Sequence, residues 1–153
     1  MTRAPQLVLA VGNPSRGDDA LGPALLERLA VVLAPAVAAG EVELLTDFQL
    51  QIEHALDVAG RARVLFVDAS VRATAPYELG RVHARRDASA SSHAMSPAAV
   101  LDALGALAVT APEAWVLAIR GEAFELGEPL SAVATTHLAA AVAGALAVLA
   151  GEA

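Results

Sequence analysis

The sequence predicts an α/β fold: a single domain with a twisted, mostly parallel five-stranded sheet and helices on both faces. Short apolar runs typical of buried parallel strands alternate with segments whose apolar residues recur at helical spacing. The chain has 153 residues, a length that suits one domain with its own core. The sequence contains no internal repeat or linker, so residues 1–153 are predicted to form one domain.

The first half of the chain is predicted to supply three strands and two helices. Residues 6–11 predict the first strand, because residues 7–11 form a continuous apolar run typical of a buried strand. Residues 42–46 predict the second strand. Residues 64–68 predict the third, which is apolar until Asp68 at its end. The first helix follows from the spacing of Leu21, Leu25, Leu29 and Val32. Asp47 is predicted to cap the second helix, with an apolar face formed by Ile52, Ala55, Leu56 and Ala59.

The second half is predicted to add two strands and two helices. Residues 77–84 alternate between apolar and polar side chains, which favours an antiparallel edge strand. A loop of small residues, 87–94, contains His93 and leads to Ser96 and Pro97, a favourable helix start. Residues 115–119 predict the fifth strand. The final helix follows from the spacing of Leu138, Val142, Leu146 and Leu149.

Composition excludes several classes of function. The chain has no cysteine, and all 10 basic residues are arginine, which excludes thiolate and lysine chemistry. The net charge of -7 argues against a surface that binds nucleic acid. The longest apolar run, residues 138–151, is shorter than the roughly 20 residues that span a bilayer. The first strand begins too early for a signal peptide to precede it, so a cytoplasmic location is expected.

Residues 12–23 form a loop between the first strand and the first helix, where open α/β sheets bind their ligands. Gly12 and Gly17 have the outline of a phosphate loop, but Asp18 and Asp19 replace the lysine and hydroxyl residue that phosphate needs. Neither a dinucleotide fingerprint nor a nucleophile elbow is present. The loop therefore indicates a positively charged ligand.

Three residues are predicted to meet at the carboxyl edge of the sheet: Asp19, Asp68 and His93. Two carboxylates and one imidazole could hold a divalent ion such as nickel or zinc and leave positions open for substrate or water. Each residue also has a structural alternative. Asp18 and Asp19 could be first-turn carboxylates that favour the helix dipole, Asp68 could cap a loop, and His93 could be solvated.

The other candidate residues are predicted to have structural roles. Asp47 also ends a strand and is the one alternative member of the site. The predicted roles are turns or loops for Ser15, Ser70 and Ser91, surface positions for His54 and His83, and a structural role for His137.

The sequence resembles the [NiFe]-hydrogenase maturation endopeptidases of peptidase family A31 over nearly its whole length. Residues 45–56 resemble the branch that serves bidirectional, NAD-linked hydrogenases. The departure from the family pattern is Pro14-Ser15-Arg16, where apolar residues are common. The residues that carry the resemblance are Val11-Gly12-Asn13, Asp18-Asp19-Ala20-Leu21-Gly22-Pro23, Phe66-Val67-Asp68-Ala69, His93 and Gly127-Glu128-Pro129-Leu130-Ser131.

The resemblance implies an endopeptidase that recognises nickel in the precursor of the hydrogenase large subunit and removes its C-terminal extension. By position, Asp19, Asp68 and His93 match the family's metal-contacting residues, and Asp18 is a neighbour of open role. Nickel would arrive with the substrate, and neither a tightly bound organic cofactor, a membrane nor nucleic acid is expected to take part. A monomer is expected. The alternatives are a non-catalytic chaperone of the nickel-loaded precursor and a small-molecule metallohydrolase.

Overall fold

A computed structural model describes residues 3–86 and 95–153 of the chain. Within these residues, five strands form one sheet in the order β2-β1-β3-β5-β4. Strands β2, β1, β3 and β5 run parallel to one another, and the edge strand β4 pairs antiparallel with β5. The strands are β1 (Gln6–Val11), β2 (Val42–Asp47), β3 (Arg63–Ser70), β4 (Tyr77–Arg81) and β5 (Glu113–Arg120). The predicted α/β fold with its mostly parallel sheet is confirmed.

Helices cover both faces of this sheet. They are α1 (Leu21–Val32), α2 (Ala34–Ala38), α3 (His54–Val58), α4 (Pro97–Ala103) and α5 (Ala132–Leu149), with 3-10 turns at Gly17–Ala20 and Leu104–Leu107. The predicted start of α4 is confirmed, because the Ser96 hydroxyl accepts the Ala99 N–H at 3.1 Å and Pro97 occupies the first turn.

Two apolar cores form because successive side chains of a strand point to opposite faces. On one face, α1 and α5 pack over Val8, Leu65 and Leu117. On the other face, α3 and α4 pack over Leu9 and Phe66. Burying each leucine of these cores contributes roughly 1.5–3 kcal/mol, so the sheet is a rigid support for the loops at its carboxyl edge.

Several predicted element boundaries are wrong: β4 ends at Arg81, before residue 84, and β5 spans Glu113–Arg120 and not only 115–119. The helix after β2 does not start at Asp47; it begins at His54 and spans 5 residues. Two residues of its predicted apolar face are therefore exposed, Ile52 at 60% and Leu56 at 59%, whereas Ala55 is buried in the core. Strand β3 continues to Ser70, because its backbone stays paired with β5 beyond Asp68. Asp68 is consequently held on a paired strand and not on a loose end.

Helix α5 is longer than the apolar run in the sequence indicated. It has 18 residues with a mean hydropathy of 1.9, enough by length and composition to cross a membrane. However, its inner face is buried against the sheet, as Leu138 and Val148 show, and a core helix has the same composition. The packing of α5 thus accounts for its apolar sequence.

Candidate active site

A cleft of about 540 Å³ opens at the carboxyl edge of the sheet. It lies at the point where the strand order reverses. From β1, the chain passes through α1 to β2 on one side of β1, and β3 then lies on the opposite side of β1. Open α/β sheets bind ligands at such a point. The cleft is lined by Asp19 and Asp68, by strand residues Leu9, Val11, Phe66, Val67 and Val116, and by loop residues including Phe48, Gln49, Leu50 and Met95.

Asp19 is held in the cleft by the backbone of its own loop. It lies in the 3-10 turn Gly17–Ala20, and its Oδ2 accepts the Asn13 N–H at 2.7 Å. Gly12 makes this arrangement possible, since its φ is +145° and a Cβ at this position would collide with the carbonyl oxygen of Asp19. The Asp19 side chain is half-buried, so one carboxylate oxygen is anchored while the group still faces the cleft.

Asp68 faces the same cleft from β3, and its Oδ1 accepts the Ala69 N–H at 2.8 Å. Solvent reaches the side chain, but the cleft walls displace much of the water that would normally surround a carboxylate. This desolvation is the main reason that the pKa of Asp68 is raised to about 7; the Ala69 N–H opposes the shift, and the negative charge of Asp19 adds to it. The shift favours a proton or a cation beside Asp68.

Asp18, whose role the sequence left open, is a structural anchor. Its side chain is fully buried and contacts the loop between β5 and α5. The carboxylate accepts four hydrogen bonds: from the backbone N–H groups of Glu122 (2.8 Å), Ala123 (3.0 Å) and Ser131 (2.7 Å), and from the Ser131 hydroxyl (2.8 Å). Burial alone would raise the pKa of Asp18, but these donors together lower it below its usual value.

Backbone contacts tie the same two loops together. The Asp18 N–H donates to the Ala123 carbonyl (2.7 Å), and the Gly17 N–H donates to that of Glu128 (2.9 Å). In return, the Gly127 N–H donates to the Ser15 carbonyl (2.7 Å). Sequence reasoning missed this network, although the pairing of Asp18 with Ser131 joins two of the motifs that carry the family resemblance. The loop that presents Asp19 is therefore fixed by the start of the last helix.

Ser131 has a second role in this network. Its hydroxyl donates to Asp18 and accepts the Ala134 N–H at 3.1 Å, so that it caps α5 at the same time. One side chain thus links the buried carboxylate to the helix that covers one face of the sheet.

His93, the third predicted site residue, lies outside the described residues, as does Ser91. The described chain resumes at Met95, which lines the cleft and whose N–H donates to the Leu50 carbonyl at 3.3 Å. In residues 3–86 and 95–153, no group of three or more metal-ligating side chains is present. The structure thus brings Asp19 and Asp68 together, and the predicted three-residue metal site remains a prediction.

The predicted surface position of His54 is wrong. Its side chain is buried, its Nδ1 accepts the Gln51 N–H at 2.8 Å, and its Nε2 lies 3.2 Å from Asp47 Oδ2. Because Nδ1 accepts a hydrogen bond, Nε2 carries the hydrogen and donates it to Asp47. Asp47 therefore does not cap α3; it closes the loop that carries Phe48 and Leu50 into the cleft wall.

The remaining predicted roles agree with the structure where it describes them. The Ser70 hydroxyl accepts the N–H groups of Arg72 and Ala73, both at 3.1 Å, which is a turn role. His137 is buried, and its Nδ1 lies 2.8 Å from the Arg120 carbonyl. Ser15 and His83 are exposed.

The fold is that of the hydrogenase maturation endopeptidases. The chain matches the E. coli hydrogenase maturating endopeptidase HybD with a TM-score of 0.72 and 24% identity, over 99% of this chain and 94% of that one. It matches the [NiFe] hydrogenase maturation protease HycI from Thermococcus kodakarensis with a TM-score of 0.69 and 20% identity, over 97% and 92% of the two chains.

A third match is the hydrogenase 2 maturation peptidase of a Thaumarchaeota archaeon, with a TM-score of 0.69 and 20% identity over 97% of this chain and 99% of that one. No protein-family model and no curated protein matches the sequence. At these identities the likeness establishes the fold, and the function has to be argued from the site.

Proposed function

We propose that this protein is an endopeptidase that recognises nickel in the precursor of a [NiFe]-hydrogenase large subunit and removes its C-terminal extension. The observation that carries the proposal is the convergence of Asp19 and Asp68 in one cleft at the switch point of this fold. Three solved structures with the fold are named as hydrogenase maturation proteases or peptidases. The sequence similarity of residues 45–56 favours a bidirectional, NAD-linked hydrogenase as the source of the precursor.

Asp19, Asp68 and His93 are the proposed contacts to the nickel that the precursor carries. The raised pKa of Asp68 supports this role, because a carboxylate that is poorly solvated gains most from a nearby cation. Binding of the ion would displace the proton from Asp68. Nickel would thereby fix the scissile bond at the mouth of the cleft.

Hydrolysis is proposed to proceed by direct attack of water on the scissile carbonyl. The chain has no cysteine. Two serines line the cleft: Ser70 is engaged in a turn, and the Ser96 hydroxyl caps α4. Water would be activated by the metal or by a carboxylate, and Asp68, with a pKa of about 7, is suited to exchange a proton near neutral pH. We further propose that the protein works as a cytoplasmic monomer, which light scattering of the purified protein tests.

The decisive experiment is incubation with purified precursor, with and without nickel, followed by mass measurement. We expect loss of the C-terminal extension only from the nickel-loaded precursor, and no cleavage by Asp68→Asn. Binding without cleavage would indicate a chaperone. Equal cleavage of the nickel-free precursor would refute nickel recognition, and normal cleavage by Asp68→Asn would remove Asp68 from the mechanism.

A further inference from the structure

A second depression lies beside the cleft and shares a wall with it. This apolar groove has a volume of about 620 Å³ and is lined by α1, by the end of β2 and by the loop that precedes Asp19. Phe48 lines both the cleft and the apolar groove, and its side chain is 65% exposed. The two depressions are thus adjacent, with one aromatic side chain between them.

The apolar groove is built on fixed parts of the fold. Leu26 and Leu44, in its wall, pack against the core beneath α1. The backbone of Phe48 is held by its N–H bond to Asp47 Oδ1 at 2.7 Å, and Asp47 is in turn bonded to His54. The backbone that carries the shared wall is therefore positioned before any ligand arrives, which lowers the entropic cost of binding.

One charged group at the apolar groove has no partner among residues 3–86 and 95–153. Glu27 is exposed on α1, and neither an ion pair nor a side-chain hydrogen bond involves it in this part of the chain. Asp47, the other carboxylate in the lining, is already engaged by His54 and by the Phe48 N–H. The groove therefore combines apolar walls with one free negative charge, which complements an apolar side chain next to a basic one.

We infer that the apolar groove is a substrate subsite that holds an extended segment of the precursor flanking the scissile bond, through an apolar side chain and a neighbouring arginine or lysine. This inference rests on the proposed function. A substrate chain that lies in the cleft crosses Phe48 to reach the groove. The groove contributes binding and register, whereas Asp19 and Asp68 act on the bond itself.

Two variants test the subsite without touching the cleft carboxylates. Ala30→Trp fills the groove from an exposed position on α1, and Val31→Trp is its matched control, since Val31 is 79% exposed and does not line the groove. Glu27→Arg reverses the free charge, and Glu41→Arg makes the same change at an exposed site elsewhere. We expect Ala30→Trp to raise the KM for nickel-loaded precursor about tenfold with kcat within about twofold. Glu27→Arg should raise KM less, with an effect that shrinks in high salt.

Binding of a fluorescent synthetic peptide that spans the cleavage position separates this inference from the proposed function. Ala30→Trp should weaken peptide binding about tenfold relative to Val31→Trp, whether or not the peptide is cut. If the wild type processes the precursor, and both groove variants have unchanged KM and peptide affinity, the subsite is refuted. The proposed endopeptidase activity is not affected by that result. Groove-dependent binding of the peptide together with no cleavage of the nickel-loaded precursor supports the subsite and refutes the endopeptidase. A peptide that does not bind the wild type refutes the subsite.

Discussion

Replacing Asp18 with asparagine tests the claim that this buried carboxylate holds the site together. The change keeps the shape of the side chain but removes its charge and turns one acceptor into a donor. Oδ2 accepts three hydrogen bonds and Oδ1 accepts one, from the Ser131 N–H. The asparagine oxygen is best placed at the Oδ2 position, which leaves its amide facing the Ser131 N–H.

The expected loss of stability follows from these contacts. One buried N–H without a partner costs about 1–3 kcal/mol, and three bonds that lose charge assistance cost about 1 kcal/mol each. Asparagine is neutral, so the variant no longer buries a charge, and this gain offsets part of the loss. Asp18→Asn should therefore lower the free energy of unfolding by about 3–5 kcal/mol. For a domain of this size, each kcal/mol corresponds to about 2–4 °C in Tm.

Urea denaturation followed by circular dichroism at pH 7 measures this difference. The exposed Asp102→Asn variant is the matched control, and it should unfold like the wild type. The difference between Asp18→Asn and the wild type should also depend on pH. Because folding lowers the pKa of Asp18, its contribution is complete above the unfolded pKa of about 3.9 and is lost as the pH falls through the folded value. A loss below about 0.5 kcal/mol at pH 7 would refute the role of Asp18 as an anchor.

Two further predictions concern the cleft. Asp68→Asn removes a charge that the cleft desolvates while keeping the acceptor for Ala69. The pKa of Asp68 is raised to about 7, so between about pH 4 and 7 the folded wild type keeps a proton that the unfolded chain has released. The contribution of Asp68 to the free energy of unfolding therefore falls as the pH rises through this range. Asp68→Asn should therefore have a higher Tm than the wild type at pH 8 and an equal one near pH 4; a lower Tm at pH 8 would contradict the desolvation argument. Gly12→Ala should lower stability by several kcal/mol, on the order of 3, because its Cβ meets the Asp19 carbonyl; Gly40→Ala, also at positive φ but in open space, is the control in thermal melts.

The fold was predictable because its signals are local. Continuous apolar runs mark the buried parallel strands: residues 7–11 form such a run, and β1 spans Gln6–Val11. The alternation in β4 marks an edge, and Ser96 with Pro97 marks a helix start. Each of these signals depends on the physical environment of a few neighbouring residues.

The parts that were missed depend on contacts between distant residues. Asp18 and Asp19 look equivalent in the sequence, yet one is buried as an anchor and the other faces the cleft. A surface position is predicted for His54 because it lies beside Glu53 within a helix, yet His54 is the first residue of α3 and is buried against Asp47, which closes the loop. The placement of Asp19 and Asp68 was inferred correctly because carboxyl ends of parallel strands share one edge.

The bond between Asp18 and Ser131 joins residues separated by 113 positions in the chain. During synthesis, therefore, the loop that presents Asp19 lacks its buried partner until the segment that begins α5 has left the ribosome. An N-terminal fragment that ends just before Ser131 carries both cleft carboxylates and the Glu122 and Ala123 donors, but it lacks the Ser131 N–H and hydroxyl that complete the donor set of Asp18. The assembly of the cleft is thereby delayed until nearly the whole chain has been made, and a truncated product is left without a completed site.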